Sequence, residues 1–185
     1  KSSDIYFERQ QIDAKYLYLL GAYKNLISAT TTVSDHIPHF VNEPYIPILP
    51  VRVLKNYCLA HAVSSFALKW GDSIPIEYKR AVENNWPFIT HIEEGFDEET
   101  KECLPKLDGL GALGRNTVLI HGIAFSKEDI DLIAKRGASV VRCPDSNMFM
   151  FKTTTNVPYL IEKGVNLCLG TDSTMSGGLN ILYEL

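Results

Sequence analysis

The chain has 185 residues, 45% of them hydrophobic and 22% charged, which is enough apolar material for one sizeable core. A net charge of −4 and a pI near 5.7, with the eighteen Lys and Arg residues scattered, argue against a nucleic-acid surface, which needs a concentrated basic patch. No apolar run approaches the roughly 18 residues that span a bilayer, no signal peptide precedes Ile5, and Cys58, Cys103, Cys143 and Cys168 have no CxxC spacing, so a reducing, cytoplasmic compartment is expected.

In chain order, the first element is a helix over about Asp4 to Lys24, where Ile5, Ile12, Tyr16, Leu19, Leu20 and Tyr23 recur near a 3.6-residue period. From Asn25 the texture turns β-rich, with β-branched residues clustered before Asp35 and His36. Pro38, Pro44, Pro47 and Pro50 mark a loop, and Val51 to Leu59 reads as a short strand. Ser64 to Asp72 is ambiguous and Ile76 to Asn85 reads as a helix; the passage from Leu59 to Pro87 is short for a complete strand-helix-strand unit. The second half is more regular. Pro87 to Ile92 is an apolar strand carrying His91, Glu98 to Leu107 a helix, and Thr117 to Gly122 a strand carrying His121. Ser126 and Asp129 have capping-box spacing for the next helix, and Gly137 stands at its C-terminal end. Ala138 to Pro144 is a third strand, Asn156 to Lys163 a helix stopped by Gly164, and Val165 to Asp172 a fourth strand.

Near-continuous apolar strands alternating with helices predict an α/β fold with a parallel sheet. His91, His121 and Asp172 recur at or just beyond the ends of these strands, with Cys143-Pro-Asp-Ser-Asn147 between them. Polar groups at the C-terminal ends of several parallel strands converge on one mouth in a (β/α)8 TIM-like barrel, whereas a doubly wound sheet gathers its chemistry at one crevice. The barrel is therefore expected. It is expected to be incomplete, a single partial domain over 1–185 lacking its first strand and its C-terminal region, because the chain starts at Lys1 and stops at Leu185 inside an amphipathic segment.

A lone histidine at a strand end most often bonds a loop carbonyl, but the recurrence of His91, His121 and Asp172 favours a metal site. Imidazole and carboxylate are the usual N and O donors of Zn²⁺ and similar ions. Such an ion lowers the pKa of its water, and a nearby carboxylate must then take and return protons. Glu94, three residues after His91, stands where it can do so. Asp172 can touch the metal and accept a proton, and His121 can polarise a substrate or hydrogen-bond the attacked atom. Gly109-Leu-Gly-Ala-Leu-Gly114 matches a dinucleotide fingerprint in spacing, but it precedes a strand and is a turn. His91-x-Glu93 lacks the P-C-x-x-C of zinc nucleobase deaminases. His61 reads as a structural or surface histidine.

His91-Ile-Glu-Glu94, Leu119-Ile-His-Gly122, Cys143-Pro-Asp-Ser-Asn147 and Leu169-Gly-Thr-Asp-Ser173 together resemble the later strand motifs of the amidohydrolase superfamily. They come closest to its deaminase and chlorohydrolase branch, whose motifs run H-x-A-E, H-G or H-C, x-P-x-S-N and G-T-D-S in that order. The resemblance covers about Thr30 to Leu182 and is strongest after Pro87. It implies His91, His121 and Asp172 at a divalent metal, zinc or iron, and Glu94, His121 and Asp172 in catalysis. It also implies a turn from Pro144 to Asn147 that shapes the pocket, with Ser146 and Asn147 as substrate contacts. The family's first-strand H-x-H pair has no counterpart here; His36-Ile-Pro-His39 has the wrong spacing, and His36 reads as a loop residue. Glu93 stands where the family has a small residue, so Glu93 and Glu94 compete for the shuttle role, and spacing favours Glu94.

The expected activity is metal-dependent hydrolysis of a C–N bond, deamination of a purine, pyrimidine or triazine amine. Opening of a cyclic amide or imidazolone ring is the alternative, and a catalytically incomplete piece is the second. Expected partners are a small-molecule substrate, no nucleic acid and no membrane, with a homo-oligomer left open.

Overall fold

The computed structural model describes residues 4–185, leaving aside the side chains of residues 5, 6 and 9. The chain divides into two compact units, Lys1–Lys55 and Asn56–Leu185.

In the first unit the expected single helix is two: α1 (Asp4–Gln10) and α2 (Ala14–Ile27). Asp13 interrupts the run because its side chain accepts from the amide of Lys15 at 2.9 Å and starts a new helix as its N-cap. The β-rich run from Asn25 yields only a two-residue strand, β1 (Thr32–Val33). α2 takes the first three residues of the run, Asn25 to Ile27: Asn25 donates to the carbonyl of Gly21 at 2.9 Å, and Ser28 ends the helix by donating to the carbonyls of Lys24 and Asn25. Residue-level β preference loses here to the continuation of an existing helix, which adds one hydrogen bond per residue fixed. The proline-rich loop contains α3 (His39–Asn42) and a 3-10 turn over Ile46–Ile48, and His36 lies in the loop before α3. β2 (Arg52–Val53) pairs parallel with β1.

The second unit is built on a five-stranded sheet, β3 (Cys58–Ala62), β4 (Phe88–Ile92), β5 (Thr117–His121), β6 (Ser139–Arg142) and β7 (Asn166–Leu169). The strands lie side by side in sequence order and every neighbouring pair is parallel. A doubly wound sheet reverses its order at a switch point; this one never does, so the strands follow the winding of a (β/α)8 barrel, of which they form one part. β3 followed by α4 (Ile74–Asn84) completes the passage between Leu59 and Pro87 that looked too short in the sequence.

Helices α5 (Glu98–Lys101), α6 (Cys103–Gly109), α7 (Lys127–Arg136), α8 (Pro144–Phe151) and α9 (Val157–Glu162) follow the strands. Leu104 and Leu107 of α6, Ile130 and Ile133 of α7 and Leu160 of α9 are fully buried with Phe88, Leu119 and Val140 of the sheet. The capping box expected for α7 is present: the amide of Asp129 donates to Ser126 Oγ at 3.1 Å and the amide of Ser126 to Asp129 Oδ2 at 2.9 Å. Replacing Ser126 with Ala is expected to cost about 1 kcal/mol of unfolding free energy, read by denaturant titration. The Pro144–Asn147 stretch, expected as a turn, is instead the first turn of α8, because a proline at the start of a helix is already held at helical φ.

Parallel strands send all their C-terminal ends to one edge of the sheet. That edge carries His61, His91, His121 and, just past β7, Asp172. The backbone is strained there. Glu93, His121 and Asp172 all have left-handed φ angles, of 47°, 78° and 56°. Each such residue costs on the order of 1–3 kcal/mol and persists only where the surroundings enforce it, and such residues gather at functional sites.

Candidate active site

Residue 121 shows what the strain does. In the β4–β5 ladder Ile92 is the partner of His121 and Ile120 the partner of His91. Regular alternation would place His121 on the Ile92 side of the sheet, away from His91. The φ of 78° re-aims the side chain, and the His91 and His121 rings stack with centroids 5.4 Å apart and planes 20° apart. Gly122 follows with φ 61°, and a Cβ there would clash with Cε2 of Phe125. Gly122→Ala is expected to destabilise the protein by about 1–3 kcal/mol, seen as a lower midpoint in denaturant unfolding.

Each imidazole is oriented from its far side. His91 Nδ1 donates to the carbonyl of His61 at 2.7 Å, and His121 Nδ1 donates to Asn147 Oδ1 at 2.9 Å. Asn147 is itself fixed by donating from Nδ2 to Thr154 Oγ1 at 3.2 Å. With the proton on Nδ1, the lone pair of each ring sits on Nε2, the tautomer a metal ligand needs. Burial lowers the pKa of both histidines, and the neighbouring imidazole lowers that of His91 further, so both are held neutral.

His121 Nε2 is buried without a hydrogen-bond partner. A buried, unsatisfied polar atom costs about 1–3 kcal/mol, which marks a place for another group. Glu94 Oε1 lies 3.5 Å from that nitrogen and Asp172 Oδ2 lies 4.0 Å from it. One donor atom from each of His91, Glu94 and His121 falls within 4.8 Å of the other two. Two neutral imidazoles and a carboxylate with converging donors, beside an orphaned buried nitrogen, fit a divalent cation such as zinc.

The carboxylates differ in environment. Burial raises the pKa of Glu94 and Asp172 adds to this, while His91 opposes it. Burial also pushes Asp172 up, but the hydrogen bond from Ser146, the nearby His121 and the bonds from Ser173 and Ser176 outweigh it, and its pKa lies below the ordinary value. Ser146 Oγ donates to Asp172 Oδ2 at 2.5 Å, and the Ser176 hydroxyl lies 2.9 Å from Ser146 and 3.2 Å from Asp172. Glu93 turns away from this centre into the core. Its Oε1 accepts from the amide of Leu104 at 3.3 Å, and burial, with Asp129 and Glu102 adding to it, pushes its pKa up to about 8.

The structure thus brings together His91, Glu94, His121 and Asp172. Glu94 joins the tight donor cluster, and Asp172 stands beside it. Ser146 and Asn147, expected as substrate contacts, are fully buried and hydrogen-bonded to Asp172 and His121. His61, read as structural or surface, sits at the end of β3 with its ring centroid 5.3 Å from that of His91 and 4.7 Å from that of Trp70. It borders a cavity of about 360 Å³ that Leu68, Lys69, Trp70 and Asp72 also line. The signal was available: His61 holds the same strand-end position one βα unit before His91.

The sequence pattern of the amidohydrolase family matches residues 81–184, more than half of the chain and all four clustered residues. The chain belongs to the amidohydrolase family. Among similar amidohydrolases and related deaminases, a 5-methylthioadenosine/S-adenosylhomocysteine deaminase of Syntrophobacter fumaroxidans is 35% identical over 114 residues, which cover 57% of this chain and 26% of that protein. A probable guanine deaminase of Schizosaccharomyces pombe is 36% identical over 107 residues, covering 53% of this chain and 20% of that protein. The chain therefore spans about a quarter of the length of the curated relatives it matches. Among solved structures, a triazine hydrolase variant superposes with a TM-score of 0.75 at 12% identity, covering 91% of this chain and 50% of its own. An adenosine deaminase of Xanthomonas campestris with bound zinc superposes with a TM-score of 0.60 at 20% identity, covering 94% and 50%. At these identities the structures bear on the fold alone, and they agree with the barrel winding of the sheet.

Proposed function

We propose that the full-length protein carrying this amidohydrolase chain is a metal-dependent aminohydrolase that releases ammonia from a heterocyclic amine of the purine type, with zinc as the ion. The observation that carries this reading is the convergence of His91, Glu94 and His121 donors within 4.8 Å around a buried His121 Nε2 that lacks a partner. The purine class is supported by the names of the relatives, which are deaminases of adenosine derivatives and of guanine.

His91, His121 and Asp172 would hold the ion, and Glu94, whose oxygen lies in the same donor cluster, would face the water that the ion makes acidic enough to ionise near neutral pH. The remaining chemistry belongs to side chains of this chain. Glu94, its pKa raised by burial, takes a proton and returns it to the departing nitrogen. Asp172, held ionised by its hydrogen bonds from Ser146 and Ser176, accepts a proton from the attacking water. His121, neutral and with its Nδ1 proton on Asn147, presents its Nε2 lone pair to the site. Trp70 and His61 offer flat faces beside the site for a planar ring.

All four cysteines are free. Among the described residues, no helix is long and apolar enough to cross a membrane.

The test is a panel of purine, pyrimidine and triazine amines with ammonia detection and metal analysis of the full-length protein. Stoichiometric zinc and ammonia release from a purine amine are expected. Ring opening of a cyclic amide without ammonia would replace this reading with the alternative hydrolase. Dialysis against a chelator is expected to remove at least nine-tenths of the turnover, and added zinc to restore it.

A further inference from the structure

The last turn of the chain holds a carboxylate that the proposed chemistry does not use. Glu184 is buried at 2% exposure, just beyond a 3-10 turn over Ile181–Tyr183. Its two oxygens serve two different segments. Oε2 accepts from the amide of Asp145 at 2.9 Å, in the first turn of α8, and Oε1 accepts from the amide of Gly178 at 3.1 Å, in the stretch that follows Asp172. First-turn amides have no partner inside their own helix, so a carboxylate there satisfies an otherwise orphaned donor.

What stands on either side of this tie matters. On the α8 side, the residues next to Asp145 are Ser146, which donates to Asp172, and Asn147, which accepts from His121. On the other side, the segment between Asp172 and Gly178 carries Ser176, the third member of the Ser146–Asp172 triangle. The two supports of the metal-site carboxylate and the one support of the buried histidine are therefore held in register by one side chain. Gly178 packs closely against it: a Cβ at that position would lie 2.9 Å from Glu184 Oε1 and 2.5 Å from Asp145 Oδ2.

We propose that Glu184 is a positioning residue of this site: by accepting from Asp145 and Gly178 at once, it locks α8 to the segment after β7 and so holds Ser146 on Asp172 and Asn147 on His121. The inference rests on the aminohydrolase reading for its effect on turnover, but its structural core is independent of that reading. Groups that orient site residues from behind typically change metal affinity or activity by about 10–100-fold when removed.

The test uses the full-length protein labelled with ¹⁵N-histidine, with Glu184→Gln and Gly178→Ala as variants that disturb the tie from opposite sides. Arg136→Ala serves as a control for stability, since it removes a surface ion pair with Asp108 (2.8 Å) distant in sequence from these elements. The His121 Nδ1–H resonance, assigned by its loss in His121→Gln, reports the bond to Asn147. In both variants this resonance is expected to shift and to exchange faster with water, and kcat to fall tenfold or more with KM changed less than threefold; the control leaves both unchanged. Retention of the resonance and of kcat in both variants, with only a lower melting temperature, overturns the proposal and leaves Glu184 a clip for stability alone. If the parent protein releases no ammonia from any amine, the aminohydrolase reading fails, and the His121 resonance alone then decides for or against Glu184.

Discussion

Glu94→Gln in the full-length protein is expected to lower kcat by roughly 10²–10⁴-fold with little change in the unfolding midpoint, while Glu93→Gln keeps turnover within tenfold of the parent. The two residues are adjacent, and sequence spacing alone only ranks them. Their environments separate them. Glu94 keeps about a third of its side chain exposed (32%) and points Oε1 at His121 Nε2 from 3.5 Å. Glu93 is 2% exposed and holds the amide of Leu104 at the start of α6. A glutamine at 94 keeps the shape but cannot carry a proton between reacting atoms. A glutamine at 93 keeps an oxygen for Leu104 and puts no charge into the core. Steady-state ammonia release for the two variants side by side checks the assignment; equal losses would give Glu93 a part in the chemistry, and a silent Glu94 would remove the proposed shuttle.

Asp172→Asn is expected to reduce turnover by about 10³-fold or more and to weaken zinc retention during dialysis. Its carboxylate lies 4.0 Å from His121 Nε2 and receives hydrogen bonds from Ser146 and Ser176, which hold it ionised against the effect of burial. An asparagine can accept from Ser146 but cannot take a proton or supply negative charge to a cation. Ser146→Ala acts one step behind and is expected to cost about 10–100-fold, because it removes an orienting hydrogen bond and leaves the carboxylate in place. Turnover and metal content measured on both variants test the order of the effects. A Ser146→Ala loss equal to that of Asp172→Asn would mean that the serine itself meets the substrate.

His61 illustrates how a site residue escapes a linear reading. Its neighbours along the chain carry no strong signal, and the strand it ends is five residues long inside a passage that looked too short for a strand and a helix. Only the parallel pairing of β3 with β4 carries it alongside His91, whose Nδ1 it receives through its own carbonyl. Ser146 and Asn147 show the converse. The motif flags them as important, but the helical first turn of α8 buries them and directs their polar atoms at Asp172 and His121.

By itself the sequence determined the class of the fold and pointed to four residues that the structure brings together. Alternating apolar strands and capped helices carry their own periodicity, and a strand end is visible wherever an apolar run stops at a polar residue. That is why His91, Glu94, His121 and Asp172 were legible, and why the Ser126–Asp129 cap of α7 was as well. Tertiary structure decided the rest. Helix α2 extended into the β-rich run because local preference is weak against an established hydrogen-bond ladder. The left-handed backbone at His121 brought its ring onto His91, a choice that no propensity encodes and that the surrounding packing must enforce. The proposed division of labour between Glu93 and Glu94 rests on burial, which is a property of the assembled sheet and helices rather than of either residue.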